Sequence, residues 1–318
     1  MNRKLLSFLI KLAVSGVIFA FVLKYTNVDQ VAARLESIRL APLAAAIGCL
    51  VLQAIAIGAW RWSAILGVVH RPVAIGSLVR MTIIGIFFNQ ILPTTFGGDG
   101  VRAWLLSRSE APIDVAIRSV MLDRALGLFG LFLLTLVSSL IVVLWFDQSV
   151  DMIGVLLLSL AGLVVLAGVP LVLPLSNKVK WAKPKKFLLR FMEEVKFLLK
   201  NRTRTMLLIL VSVFGHFVVC LAVWLTARAF VIEIPLGPTL VIVPPVFLAA
   251  ALPISIAGWG VREGGMVFGL GLLGVASSDA ALISVAIGLM GVAIGLFGAL
   301  VWLISPSEKM PRPNHPAL

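Results

Sequence analysis

Apolar runs of membrane-crossing length, separated by short polar joints, leave this chain few ways to fold. A helix of about 20 apolar residues crosses the roughly 30 Å of hydrocarbon in a bilayer. Runs of that order occupy 5–23, 41–60, 125–146, 152–173, 206–228 and 280–304. Of the 318 residues, 60% are hydrophobic and only 13% charged, and the mean hydropathy is +1.09. A soluble domain needs far more polar surface than that to cover its core. The expected class is therefore an all-α polytopic membrane protein with about six full transmembrane helices. No clean small-x-small cleavage site follows Arg3, Lys4 and the first run, so that run reads as a retained helix rather than a signal peptide.

The formal net charge of +13 sits mostly in the joints between spans. There it fits the positive-inside rule and anionic headgroups, and nucleic acid is not an expected partner. The stretch 176–204 holds ten Lys/Arg against Glu193 and Glu194, and reads as a cytoplasmic amphipathic helix on an anionic membrane surface, with Phe187, Phe191 and Phe197 dipping in. It is also the longest polar stretch, below the roughly 40 residues a small domain needs to fold alone. Cys49 and Cys220 lie inside apolar runs without metal-ligand neighbours, and no cofactor is expected.

Two hydrophobic segments are interrupted. The first, 73–108, breaks at Pro93, Gly97, Gly98 and Gly100; the second, 235–275, carries Pro244, Pro245, Pro253, Gly258 and Gly260. Such segments read as re-entrant hairpins or broken helices. They are also alike. Leu92-Pro93-Thr94-Thr95-Phe96-Gly97-Gly98-Asp99-Gly100-Val101-Arg102 aligns with Leu252-Pro253-Ile254-Ser255-Ile256-Ala257-Gly258-Trp259-Gly260-Val261-Arg262, with six of eleven positions identical. Leu252 lies 160 residues after Leu92, and the same offset maps the span 41–60 onto 206–228 and the span 125–146 onto 280–304. The repeats are thus about 41–146 and 205–304. One extra span, 152–173, separates them and inverts the second. Inverted repeats with discontinuous helices are a transporter architecture. Simple proline and glycine kinks would not account for six shared identities.

Orientation follows from the basic residues. The first span exits, the second returns, and the first hairpin starts and ends inside. The next two spans pass out through Asp147 and Asp151 and back to the basic loop. The fifth exits, the second hairpin starts and ends outside, and the sixth returns the tail 306–318 to the cytoplasm. Residues 1–305 form a single transmembrane domain with both termini cytoplasmic, in a bacterial-type plasma membrane.

Proline ends an incoming half-helix and glycine permits the tight turn. A second half-helix then begins after Gly100 and after Gly260, with unpaired N–H groups and a partial positive charge at its start. Arg102 and Arg262 fall in that first turn. A guanidinium at a helix start suits a phosphate. The alternative is structural pairing of each arginine with Asp99, Glu263 or Asp123. An arginine in hydrocarbon costs about 2.5–3.5 kcal/mol, so each should face a partner or a cavity. Candidate site residues are Arg102, Arg262, Asp99, Glu263, Arg80, Gly98, Gly100, Gly258, Gly260, Pro93 and Pro253. Asp123-Arg124 reads as an interfacial pair, and Trp60-Arg61-Trp62 as an interfacial end to the second span. His216 reads as a hydrogen-bonded helix contact. Lys11 and Arg228 can snorkel. No paired-carboxylate, metal-ligand or Ser/His/Asp arrangement stands out, and no Gly-Lys-[Ser/Thr] loop is present.

The motif residues Asn89-Gln90-Ile91-Leu92-Pro93, Gly97 to Arg102, and Pro253 through Gly258-Trp259-Gly260-Val261-Arg262-Glu263-Gly264-Gly265 resemble the lysylphosphatidylglycerol synthase transmembrane-region family, also described as flippase-like. The resemblance covers roughly residues 5–305. It implies lipid translocation between leaflets. In the bifunctional aminoacyl-phosphatidylglycerol synthetases a similar membrane region flips the product of a soluble C-terminal synthase domain. This chain ends at Leu318 without that domain, so lipid synthesis is not expected. Other members are linked by resemblance to polyprenyl-phosphate sugar pathways. The expected partner is a phospholipid or a polyprenyl-phosphate lipid, and self-association is left open. The rivals are a membrane-embedded transferase, with Asp99, Asp123 or Glu263 as acid or base, and an accessory subunit of a lipid-modifying enzyme.

Overall fold

A computed structural model of the chain describes residues 28–92, 97–145, 152–172, 182–252, 255 and 257–305. The predicted first span, Pro93, Pro253, Lys11 and the tail 306–318 lie outside them. Among the described residues the fold is all-helical, and four helices are long and apolar enough to cross a membrane: Leu40–Val69, Ile113–Ile141, Arg202–Ala229 and Ser277–Ile304.

A short helix, α1 (Val28–Glu36), precedes the first of these rods. The rod is α2 (Leu40–Val51), a wide π-helical turn over Leu52–Ile57, and α3 (Gly58–Val69). It was predicted to stop at Trp60, but it runs on to Val69. The reason is packing: Trp62 is fully buried and Arg61 finds a carboxylate, so neither behaves as an interfacial residue. Next come α4 (Ile75–Ile91) and α5 (Gly97–Ser109), which pack on each other. The second of the four long helices, α6 (Ile113–Trp145), is one continuous helix that begins well before the span 125–146 expected from apolar length. Its mid-helix charges, Asp123 and Arg124, find partners inside the protein and so do not break it.

The second half repeats this order. After α7 (Met152–Val172) and α8 (Ala182–Lys200) come α9 (Arg202–Ala229), α10 (Leu236–Ala251), α11 (Val261–Gly271) and α12 (Ser277–Ile304). The paired helices start at 40 and 202, 75 and 236, 97 and 261, and 113 and 277, which holds the 160-residue sequence offset to within four residues.

The two halves interlock. The short helix α4 lies along α12, where Gly295 faces the Phe87 backbone and Gly298 meets the Ile83 carbonyl, with Phe88 edge-on to Trp302 at 5.2 Å. Reciprocally, α10 packs on α6, and α9 runs beside α2. Glycines on α12 let the backbones approach closely, as small residues do between membrane helices. Two apolar cores form: Trp62, Leu66, Leu78, Met81 and Leu106 within the first half, and Val223, Val243, Met266, Leu270 and Ile283 of the second half, joined by Ala46 and Leu134 of the first.

The ends of the bundle are tied by polar contacts. At one end Arg71 pairs with Glu110 at 3.6 Å, so the outer ends of α4 and α5 meet. At the other, Arg34 grips Asp279 at 2.9 Å and donates to the Val231 carbonyl at 2.9 Å, which joins α1 to the loop after α9 and to the start of α12. The basic helix α8 docks on protein. Phe191 packs with Ile65, Leu122, Leu198 and Leu208, and Phe187 lies 5.8 Å from the Arg118 guanidinium. Of the three phenylalanines expected to dip into lipid, only Phe197 is largely exposed.

Candidate functional site

The turn between α4 and α5 depends on close backbone approach. A Cβ at Gly98 would run into the Gly85 carbonyl oxygen and the Asn89 side chain, and the Gly98 N–H donates to Asn89 Oδ1 at 2.8 Å. With Gly97 to Gly100 helical, α5 begins at Gly97 rather than after Gly100, and Arg102 falls in its second turn. The equivalent glycines in the second half serve a different need. Gly258 and Gly260 have φ of 80° and 87°, a region costly for other residues, so α11 begins only at Val261. Gly100 has open space where a Cβ would stand.

From the α4–α5 turn an ion-pair network spreads through three helices. Arg102 donates from Nη1 and Nη2 to Asp123 Oδ2 at 3.3 Å each, and from Nη1 to Asp99 Oδ1 at 3.5 Å. Arg61 donates from Nε to Asp123 Oδ1 at 2.7 Å. Arg124 pairs with Asp99. The Arg102 guanidinium sits 4.2 Å from the centroid of the buried Trp62 ring, whose Nε1–H donates to Ser119 at 3.1 Å. Asp99, Arg102 and Asp123 are all buried. Charges this deep persist only when paired and hydrogen-bonded.

At the α10–α11 turn the pairing is more compact. Arg262 donates to Glu263 Oε1 from Nη2 at 2.6 Å and from Nε at 3.0 Å, and Ser284 on α12 donates to the same oxygen at 3.2 Å. Glu263 Oε2 accepts from the Gly260 N–H at 2.6 Å. The helix start that was expected to offer unpaired N–H groups to a ligand is therefore filled by the chain's own carboxylate. Arg262 also stacks 4.8 Å from the centroid of Trp259, and both rest on Gly288.

So the structure brings Arg102 together with Asp99, and Arg262 with Glu263; the structural pairing weighed for each arginine is present. Asp123-Arg124 is not an interfacial pair, since its two members point their charges at Arg61 and Arg102, and at Asp99. Among the described residues Arg80 joins neither network, and His216 bonds to the Gly127 carbonyl at 2.9 Å. Arg61, Arg124 and Ser284 were missed as site residues. For Arg61 and Arg124 the available signal was a charge inside an apolar run, which marks a buried partner; Ser284 carried no such signal.

A family model for the lysylphosphatidylglycerol synthase transmembrane region matches residues 8–298. The chain belongs to this family. Among curated proteins it is similar to two UPF0104 membrane proteins of Methanothermobacter thermautotrophicus (strain Delta H). One is 32% identical over 98 residues, covering 30% of this chain and 28% of the relative. The other is 32% identical over 107 residues, covering 33% and 32%. In these matches the chain spans about a third of the length of the relatives. As a lysylphosphatidylglycerol synthase transmembrane-region protein with several apolar helices, it is a multi-pass membrane protein of a family tied to lipid handling.

Proposed function

We propose that the protein is a lipid translocase, flippase-like, that moves a phosphate-bearing lipid across the plasma membrane. The observation that carries this is the pair of buried arginine–carboxylate clusters, one at the turn of each short-helix pair, at equivalent places in two repeats of a family named for a lipid-modifying enzyme. In this reading α4–α5 and α10–α11 are re-entrant hairpins, set among about six full spans in inverted-topology repeats. The meeting of the α4 and α5 outer ends at Arg71–Glu110, and of the α9–α10 loop and the α12 start around Arg34 at the other end of α9, supports that arrangement. Both termini and the α8 loop then lie in the cytoplasm.

The headgroup slides along a polar path between the hairpins while the tails stay in lipid. Arg102 and Arg262 hold the phosphate as it passes, Asp99 and Glu263 reclaim each guanidinium afterwards, and Gly98, Gly100, Gly258 and Gly260 keep the turns tight enough for the headgroup to pass. Arg80 faces the incoming side of the same path. The lipid is a phospholipid or a polyprenyl-phosphate lipid.

The carboxylates a transferase would need are all engaged by arginines. Incubating the purified protein in detergent with a polyprenyl-phosphate sugar or a phospholipid, beside the same protein in liposomes, tests the assignment. The expected outcome is transbilayer movement in liposomes and unchanged lipid in detergent. Chemical conversion of the lipid in detergent, with no movement in liposomes, would overturn it.

A further inference from the structure

The two clusters do not carry the same charge. Around the α10–α11 turn Arg262 is balanced by Glu263. Around the α4–α5 turn three arginines, Arg61, Arg102 and Arg124, share two carboxylates, Asp99 and Asp123. The undescribed linker, Pro93-Thr94-Thr95-Phe96, contributes no charge of its own. One positive charge is thus left over among the described residues, in a region where an uncompensated charge is costly.

Two polar atoms at the same place lack partners. Arg102, whose side chain is 10% exposed, leaves its buried Nε–H without an acceptor, and the buried Thr82 hydroxyl is likewise unsatisfied. They are neighbours in the fold. The Arg102 stem lies over Gly85, and Thr82 is one helical turn before Gly85 on α4. The third arginine lies nearer the surface: Arg124 is 42% exposed while it pairs with the buried Asp99.

We infer that the α4–α5 turn is the resting anion site, and that it takes a headgroup bearing a single phosphodiester charge. This deepens the lipid-translocase reading and rests on it. A phosphodiester carries one negative charge and cancels the excess. A phosphomonoester carries about 1.5–2 negative charges near neutral pH and overshoots it. Phosphate oxygens accept from Arg102 Nε, from the Thr82 hydroxyl and from Arg124, with Asp99 and Asp123 holding the guanidinium groups in place. The neutral Arg262–Glu263 cluster is a station on the path and not a resting site.

The test compares two lipids with identical tails. Full-length protein in an uncharged detergent is titrated with dihexanoyl-phosphatidylglycerol and with dihexanoyl-phosphatidic acid at pH 8, and binding is read by calorimetry. The diester should bind about tenfold more tightly, the scale of one charge-assisted contact. R124Q should weaken the diester by about tenfold. D99N, which adds a second excess charge, should shift the preference toward phosphatidic acid, a reversal that a purely structural role would not produce. R71Q, outside the network, should bind as the unaltered protein does. Thermal midpoints establish that each variant is folded. Equal binding of both lipids, or an unchanged preference in D99N, overturns the inference and leaves the translocase reading standing. No binding of either lipid by the folded, unaltered protein contradicts both.

Discussion

Arg61 donates from Nε to Asp123 at 2.7 Å and ties the first long rod to α6 across 62 positions of sequence. Asp123 also accepts from Arg102, so one carboxylate holds two arginines from different helices. Asp123→Asn removes the charge that both need. Taking one partner from a buried ion pair costs about 3–5 kcal/mol, because the charge left behind is unpaired. D123N should lower the thermal midpoint in detergent by several degrees, and an unchanged midpoint would show that the network is peripheral.

Gly98 and Gly100 sit two residues apart in one helix, and only the first is crowded. G98A places a methyl against the Gly85 carbonyl, and overpacking of this kind costs about 1–3 kcal/mol. G100A points into open space and should be neutral or slightly stabilising, since alanine favours helix over glycine by up to about 1 kcal/mol. Thermal unfolding of the two variants distinguishes crowding from a general need for glycine.

The packing of α4 on α12 brings Phe87 beside Gly295. With Cys49 and Cys220 replaced by serine, F87C/G295C should cross-link within one chain on mild oxidation, seen as a mobility shift on a denaturing gel. Folded protein that fails to cross-link would refute the interlocked halves.

Docking of α8 rests on Arg118, which donates to Glu194 at 2.7 Å and to Asp114 at 2.8 Å. Burial pushes the Glu194 carboxyl up from its ordinary value, while Arg118 pulls the other way. Removing Arg118 therefore strands two carboxylates, whereas Glu194 can shed its charge by taking a proton. R118Q should speed limited proteolysis within 176–204 several-fold, and E194Q should do so less. Equal resistance in R118Q would show that the apolar contacts of Phe191 alone hold the helix.

Much of this architecture was legible in the sequence because its signals are local. Apolar length located the long helices, and the shared Leu-Pro and Gly-x-Gly-Val-Arg residues gave the repeat and its offset. Asp99 and Glu263 were legible as partners because they lie three residues and one residue from the arginines they hold. The longer connections were not. Nothing local links Arg61 to Asp123, and tryptophans flanking an arginine look the same at a membrane surface as in a core. Trp62 is buried because α5 and α6 bring Arg102 and Ser119 to it. The start of α11 was read as open because a helix start normally lacks partners, yet Glu263 lies at the third position of that helix, where a carboxylate folds back to close it.

Transbilayer movement of lipid is the central claim, and reconstituted protein measures it directly. Liposomes carrying a headgroup-preserving, tail-labelled phosphatidylglycerol are treated with an impermeant quencher, and the protected fraction is followed with time. The unaltered protein should render the inner-leaflet label accessible, and folded R102Q should slow this by at least about tenfold, the scale of one lost charge-assisted contact to phosphate. Movement at the protein-free rate with the unaltered protein across candidate phosphate-bearing lipids, or equal rates for the unaltered protein and R102Q, would contradict the account.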